Sequence, residues 1–192
     1  MDESKRVVVV GIPGVGKTSL LNSVVKKMRR NDHKIVVCSF GTAMLDEAKK
    51  NGVTNRDDIR RMTISEQKQL QNKAARSIMS KQFDILIIDT HAFVKTESGY
   101  YPGLPERVLR IFDPTNYVSV SAKPEEIYNR RMNDPTRKRD KVNISVIKQE
   151  LDLQAAMVST YAIVSGAPVK PIVNREGKLN DAADDVIRTL GL

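Results

Sequence analysis

Short apolar runs alternate with longer amphipathic stretches along the chain. Strands are expected at residues 6–10, 34–40, 84–89, 117–121 and 169–173. They are rich in Val and Ile and alternate little between apolar and polar, the pattern of strands buried on both faces. Between them, helical spacing predicts helices at 17–30, 42–51, 65–80, 105–112, 124–133, 144–164 and 181–190. This order predicts an α/β three-layer sandwich around a five-stranded parallel sheet with right-handed crossovers. Ligands in such a sheet bind beyond the carboxyl ends of the strands, so chemistry is sought just after each one.

The 192 residues suffice for one core, and residues 1–192 are read as a single domain. No apolar run approaches the roughly 18 residues of a membrane helix. The opening "MDESKRVVVV" places acidic residues before a short apolar stretch, unlike a signal peptide. A cytoplasmic location follows as the expectation. The single cysteine, Cys38, agrees with it and is read as a small core residue on a strand. The net charge of +9 favours an anionic partner. Aromatic residues are few and do not interleave with the basic ones, which argues against a platform for single-stranded nucleic acid.

The strongest local signal is "VVVVGIPGVGKTSLL". Gly11, Gly14, Gly16, Lys17 and Thr18 fit G-x-x-x-x-G-K-[ST], between an apolar strand and an amphipathic helix. Glycines let backbone N–H groups close around a phosphate, and the helix dipole adds positive potential. Residues Gly11, Ile12, Pro13, Gly14, Val15, Gly16, Lys17, Thr18 and Ser19 are read as the ATP-binding loop. Lys17 would reach the β- and γ-phosphates and Thr18 would ligate Mg²⁺. Asp89, ending "DILIID", is placed to hold the same ion, through water.

No N/T-K-x-D guanine reader follows a later strand, so a GTPase is rejected. A large motor or AAA-type ATPase would need a longer chain. What remains is a small kinase. Transfer to an anionic acceptor needs charge neutralisation, for which arginine's planar fork is suited. Two arginine groups are available. Arg56, Arg60 and Arg61 lie in "NRDDIRRM", with Arg56 and Arg60 on one face if the segment is helical. Arg130, Arg131, Arg137 and Arg139 lie in "NRRMNDPTRKRD", with Arg137 and Arg139 just past Pro135, which breaks the preceding helix.

The pieces "GIPGVGKT", "FGTAML", "RDDIRR", "DTHAFVKTESGYYPGLP", "RRMNDPTRKRD" and "SGAPVKPIVN" together resemble archaeal-type adenylate kinases over nearly the whole chain. The resemblance implies a P-loop nucleoside-monophosphate-kinase fold with a short lid at about 134–141 and an AMP-binding segment at about 40–80. It implies the reaction MgATP + AMP ⇌ 2 ADP, with Mg²⁺ as cofactor, and a homo-oligomer, in this family often a trimer. It places Phe40, Gly41, Thr42, Thr90 and His91 on the AMP side, with Arg56 and Arg60 on the AMP phosphate. Lys17, Arg130, Arg137 and Arg139 would act on the transferred group. The chain departs from the pattern on the long helix after the lid. No arginine lies between Arg139 and Arg175, and Gln154 and Ala155 stand in that area. That helix carries two apolar stripes, Ile147, Leu151, Val158 and Leu153, Met157, Tyr161, Val164, so it is either buried on two sides or shared with a partner. The acceptor oxygen is already ionised, so no general base is required. Two alternatives stay open: a kinase for another monophosphate such as CMP or UMP, with base choice resting on backbone contacts, and an RNA-associated assembly NTPase.

Overall fold

The computed structural model describes residues 4–28, 33–96, 99–133 and 143–191, without the side chains of Arg56, Asp57 and Arg60. Its strands are β1 (Lys5–Val10), β2 (Ile35–Ser39), β3 (Ile85–Thr90), β4 (Phe93–Thr96), β5 (Gly99–Pro102), β6 (Asn116–Ser121) and β7 (Val169–Val173). Five form a parallel sheet in the order β2-β3-β1-β6-β7, as the apolar runs predict. The central strand β1 is sealed: Val7, Val8, Val9 and Val10 are all fully buried. Because the strands are parallel, their carboxyl ends share one edge. The register there sets Val9 beside Asp89 and Val10 beside Ser119.

The helices are α1 (Lys17–Met28), α2 (Phe40–Lys49), α3 (Arg56–Arg61), α4 (Ile64–Met79), α5 (Glu106–Phe112), α6 (Pro124–Met132), α7 (Ile144–Ser165) and α8 (Leu179–Thr189). Local chemistry sets their ends. Ser39 accepts from the Thr42 N–H, so helix begins at Phe40 and the strand expected to reach residue 40 stops one residue earlier. Asn55 caps α3. Thr63 and Glu66 form a reciprocal capping box on α4. At the other end of α7, Gly166 takes a left-handed turn with φ of 73° and stops the helix.

Helices α2, α3 and α4 share a small apolar cluster of their own, built on Ala48, Ile59 and Leu70. The rest of the buried side chains form the main core, which includes Cys38. Helix α7 buries Ile147, Val158 and Tyr161, half-buries Leu151, Leu153 and Met157, and leaves Ile163 and Val164 exposed. No strand or helix is expected from the sequence between residues 89 and 105, yet the structure forms the β4–β5 antiparallel hairpin there, with Phe93 opposite Pro102.

Candidate active site

The glycine-rich loop joins β1 to α1. Gly16 has φ of 86°, and a Cβ there would stand 2.4 Å from Asn174 Nδ2, so both conformation and space demand glycine. Three elements grip the loop by its carbonyls. Gly11 O accepts from Lys17 Nζ at 3.0 Å and from His91 Nδ1, beyond β3, at 2.7 Å. Pro13 O accepts from Arg131 Nε of α6 at 2.8 Å. Val15 O accepts from Asn174 Nδ2, just after β7, at 2.8 Å and from Arg130 Nη1 at 3.3 Å. Each grip fixes a peptide plane, and with it the N–H of the next residue, which the plane carries on its opposite side. The N–H groups of Ile12, Gly14 and Gly16 are thereby set before any ligand arrives.

Lys17 is buried beneath this loop. Its ammonium lies 3.3 Å from Asp89 Oδ1, an ion pair, and 3.2 Å from His91 Nδ1. Since Gly11 O can only accept, the short contact from His91 assigns the ring proton to Nδ1. Lys17 and His91 then both donate to the same carbonyl. Thr18 and Ser19 are exposed at the start of α1. Among the described residues no three His, Cys, Asp or Glu cluster to hold a metal. The donor set of one hydroxyl and one carboxylate fits a hard cation that brings water and phosphate ligands of its own.

Beside Lys17 opens a pocket between α2, α4, the end of β3 and the hairpin. Of the residues assigned to the AMP side, it gathers Phe40, Gly41, Thr90 and His91, together with Lys17 and Asp89. Thr42 does not line it; Thr42 is exposed in the first turn of α2, its N–H taken by Ser39. The backbone is helical across Arg56–Arg61, meeting the condition placed on that arginine pair. The side chains of Arg56 and Arg60 lie outside the described residues, as do Arg137, Arg139 and the whole expected lid.

Arg130 is engaged differently from its assignment. Besides Val15 O it donates to Asn174 O at 3.3 Å and to Glu126 at 3.2 Å, so it braces the loop from below. Arg131, assigned no role of its own, pairs with Glu150 of α7 at 2.7 Å in a largely buried bridge. Gln154 donates to Ser119 Oγ and Val120 O, tying α7 to β6.

Sequence reasoning also missed Gln67, Gln71, Tyr101 and Gly103, all of which line the pocket. Asn174 could have been found, because it directly follows β7 and obeys the carboxyl-end rule. Gln71 gave no signal, lying within an ordinary amphipathic helix.

Comparison with known proteins settles the class. A family model described as "AAA domain" matches residues 10–148. Full-length relatives decide the activity. The chain is 42% identical over 188 residues to an adenylate kinase of Thermoplasma acidophilum, covering 97% of this chain and 99% of that one. It is 38% identical over 191 residues to an adenylate kinase of Methanocaldococcus jannaschii, covering 98% and 99%. This chain belongs to the adenylate kinase family. It is an enzyme, an adenylate kinase. Among solved structures, the kinase resembles a shikimate kinase from Bacteroides thetaiotaomicron with a TM-score of 0.63 at 12% identity, covering 98% of this chain and 99% of that one. A shikimate kinase from Acinetobacter baumannii, solved in complex with shikimate, gives 0.53 at 12% identity over 96% and 91%. At that identity the likeness concerns the fold alone.

Proposed function

We propose that this adenylate kinase seats MgATP on the glycine-rich loop and AMP in the pocket beside it, with Lys17 between the two. The observation that carries this reading is the position of Lys17. It is anchored in the phosphate loop through Gly11 O and also lines the neighbouring pocket. A cation shared by donor and acceptor sites is placed where charge builds up during phosphoryl transfer.

In this reading the N–H groups of Ile12, Gly14 and Gly16 hold the β-phosphate and Lys17 neutralises the migrating group. Thr18 and Asp89 would hold Mg²⁺, the latter through water; bound Mg²⁺ supplies charge neutralisation across the β- and γ-phosphates. Phe40, Gly41, Thr90 and His91 line the AMP side, and Arg56 and Arg60 hold the AMP phosphate. Arg137 and Arg139 close over the transferred group. The AMP phosphate oxygen attacks as an anion, so no side chain has to take a proton.

A homotrimer and a cytoplasmic location belong to the same proposal. The exposed apolar residues Ile163 and Val164 on α7, with Val173 on the edge strand β7, support self-association. Among the described residues no helix is long and apolar enough to cross a membrane.

The site assignment is tested by Arg60→Ala. Loss of a charge-assisted bidentate contact, about 1.5–3 kcal/mol, should raise the KM for AMP by roughly ten- to a hundredfold and leave that for ATP nearly unchanged. A larger effect on ATP would reverse the assignment of the two arginine groups.

A further inference from the structure

The tip of the phosphate loop is shaped by a side chain that lies outside it. Arg131 Nε donates to Pro13 O at 2.8 Å. Its aliphatic stem lies against Gly14, where a Cβ would stand 3.0 Å from Arg131 Cγ and 3.2 Å from Ile127 Cγ2. Gly14 has φ of 90°, a conformation that favours glycine, and Pro13 before it has no N–H to offer a ligand. The Gly14 N–H lies on the other side of the peptide plane that Arg131 grips. A shift of Arg131 therefore moves that donor.

Arg131 is itself held from a third element. Its Nη2 donates to Glu150 Oε2 of α7 at 2.7 Å, and the two side chains are only 8% and 14% exposed. One guanidinium thus joins α7 to the loop. A carboxylate so close to a seat for triphosphate is unfavourable by Coulomb's law alone. Stability does not call for it either, since apolar side chains of similar volume often match or better a buried ion pair. What the pair adds is orientation: the planar fork meets two acceptors at set angles.

We propose that Glu150 is a positioning residue for the donor nucleotide, acting through Arg131 and Pro13 O to keep the Gly14 N–H aligned with the phosphates. The inference rests on the reading that MgATP sits on the glycine-rich loop. It extends the support of that site to α7, through a residue whose own charge opposes the ligand. This gives the proposal a sign that separates it from a purely electrostatic role. Removing a carboxylate makes the local potential more positive, and by charge alone that strengthens ATP binding. Removing a brace weakens it.

Initial rates at varied MgATP and AMP give kcat and both KM values, and circular dichroism gives Tm. Glu150→Ala should raise the KM for ATP by about three- to tenfold and leave that for AMP within about twofold. Its kcat should stay within about threefold, because the Gly14 N–H holds phosphate in the ground and transition states alike. Glu150→Gln keeps the shape and an acceptor for Arg131, and should recover most of the loss. The decisive variant replaces both partners, Arg131→Met together with Glu150→Leu. It keeps the net charge and fills the space, so its Tm should stay within about 4 °C of wild type. Its KM for ATP should still rise by about three- to tenfold, which neither stability nor charge accounts for. The double variant also carries the test if Glu150→Ala fails to fold. A folded Glu150→Ala with an unchanged or lowered KM for ATP, a Glu150→Gln no better than Glu150→Ala, or a double variant with the wild-type KM for ATP would overturn the inference. Wild-type kinetics in Lys17→Ala would instead overturn the reading of the loop as the seat of ATP.

Discussion

A methyl group added at Gly103 would meet backbone. Its Cβ would stand 1.9 Å from His91 O, 3.0 Å from His91 C and 3.1 Å from Ala92 C. None of these atoms can rotate aside as a side chain would. Carbon and carbonyl oxygen settle at roughly 3.3 Å or more, so the two chain segments must part by about 1.4 Å. Three hydrogen bonds hold them together. Gly103 N–H donates to Ala92 O at 2.9 Å, Leu104 N–H donates to the Tyr161 hydroxyl at 3.4 Å, and Tyr161 donates to Ala92 O. Neutral bonds of this kind contribute about 0.5–1.5 kcal/mol each, and overpacking a tight site costs about 1–3 kcal/mol. Relaxation by parting trades one cost against the other, so Gly103→Ala should destabilise by about 2–4 kcal/mol. At about 2–4 °C per kcal/mol for a chain of this size, Tm should fall by about 4–16 °C.

The same displacement reaches the chemistry. His91 carries the contact to Gly11 O and lines the acceptor pocket. Misplacing reacting groups by about 1 Å can cost about a hundredfold in rate. Gly103→Ala should therefore raise the KM for AMP and lower kcat by at least about tenfold, at temperatures well below its Tm. Thermal unfolding followed by circular dichroism and initial rates at varied AMP would measure both. A variant that melts within about 2 °C of the parent with kinetics within about twofold would show that the hairpin can open freely, and the close approach would carry no functional weight.

Asn174→Ala should raise the KM for ATP by about three- to tenfold with little change for AMP, because Val15 O loses its 2.8 Å donor but keeps Arg130 at 3.3 Å. Steady-state kinetics on both substrates check this, and a change confined to AMP would contradict it. Burial pushes the Tyr161 hydroxyl up to about 12 from an ordinary value of 10. Between those values the folded state keeps a proton that the unfolded state gives up, so this contribution is complete below pH 10 and is lost as pH rises through about 12. Tyr161→Phe should flatten the alkaline fall in unfolding midpoint, and an unchanged slope would refute the assignment.

Much of the sheet was legible because burial on both faces leaves a sequence trace, near-continuous Val and Ile in β1 and β3. The phosphate loop was legible because its glycines, lysine and threonine are required at fixed spacing. The β4–β5 hairpin was not. Its strands are four residues each, and "KTESGYYPG" reads as turn chemistry throughout. Pocket residues contributed by tertiary packing were equally silent: Gln71 occupies a position on α4 where any residue of its size fits the helical pattern. Arg130 was given its phosphate role by the family resemblance. Its contacts here, the Val15 and Asn174 carbonyls and the Glu126 carboxylate, left no trace in the sequence, which does not distinguish an arginine that seeks an anion from one that also braces backbone.

That distinction bears on how the cradle works. A loop with three glycines has many conformations to lose, and its N–H groups bind phosphate well only if they are already aligned. Here the alignment comes from β3, α6 and β7 at once, through His91, Arg130, Arg131 and Asn174. Charge alone would not require this arrangement, because both arginines are neutralised by nearby carboxylates, Glu126 and Glu150. Their value to the loop is geometric. Lys17 pairs with Asp89, and it sits at the wall between the two sites. The Gly11 carbonyl links the sites directly, since it receives both Lys17 from the loop side and His91 from the acceptor side. Moving either donor shifts the peptide plane that carries the Ile12 N–H. Donor and acceptor geometry are thus coupled through one hydrogen-bonded carbonyl, which is why a methyl group at Gly103, on the far side of His91, should be felt at the phosphate loop.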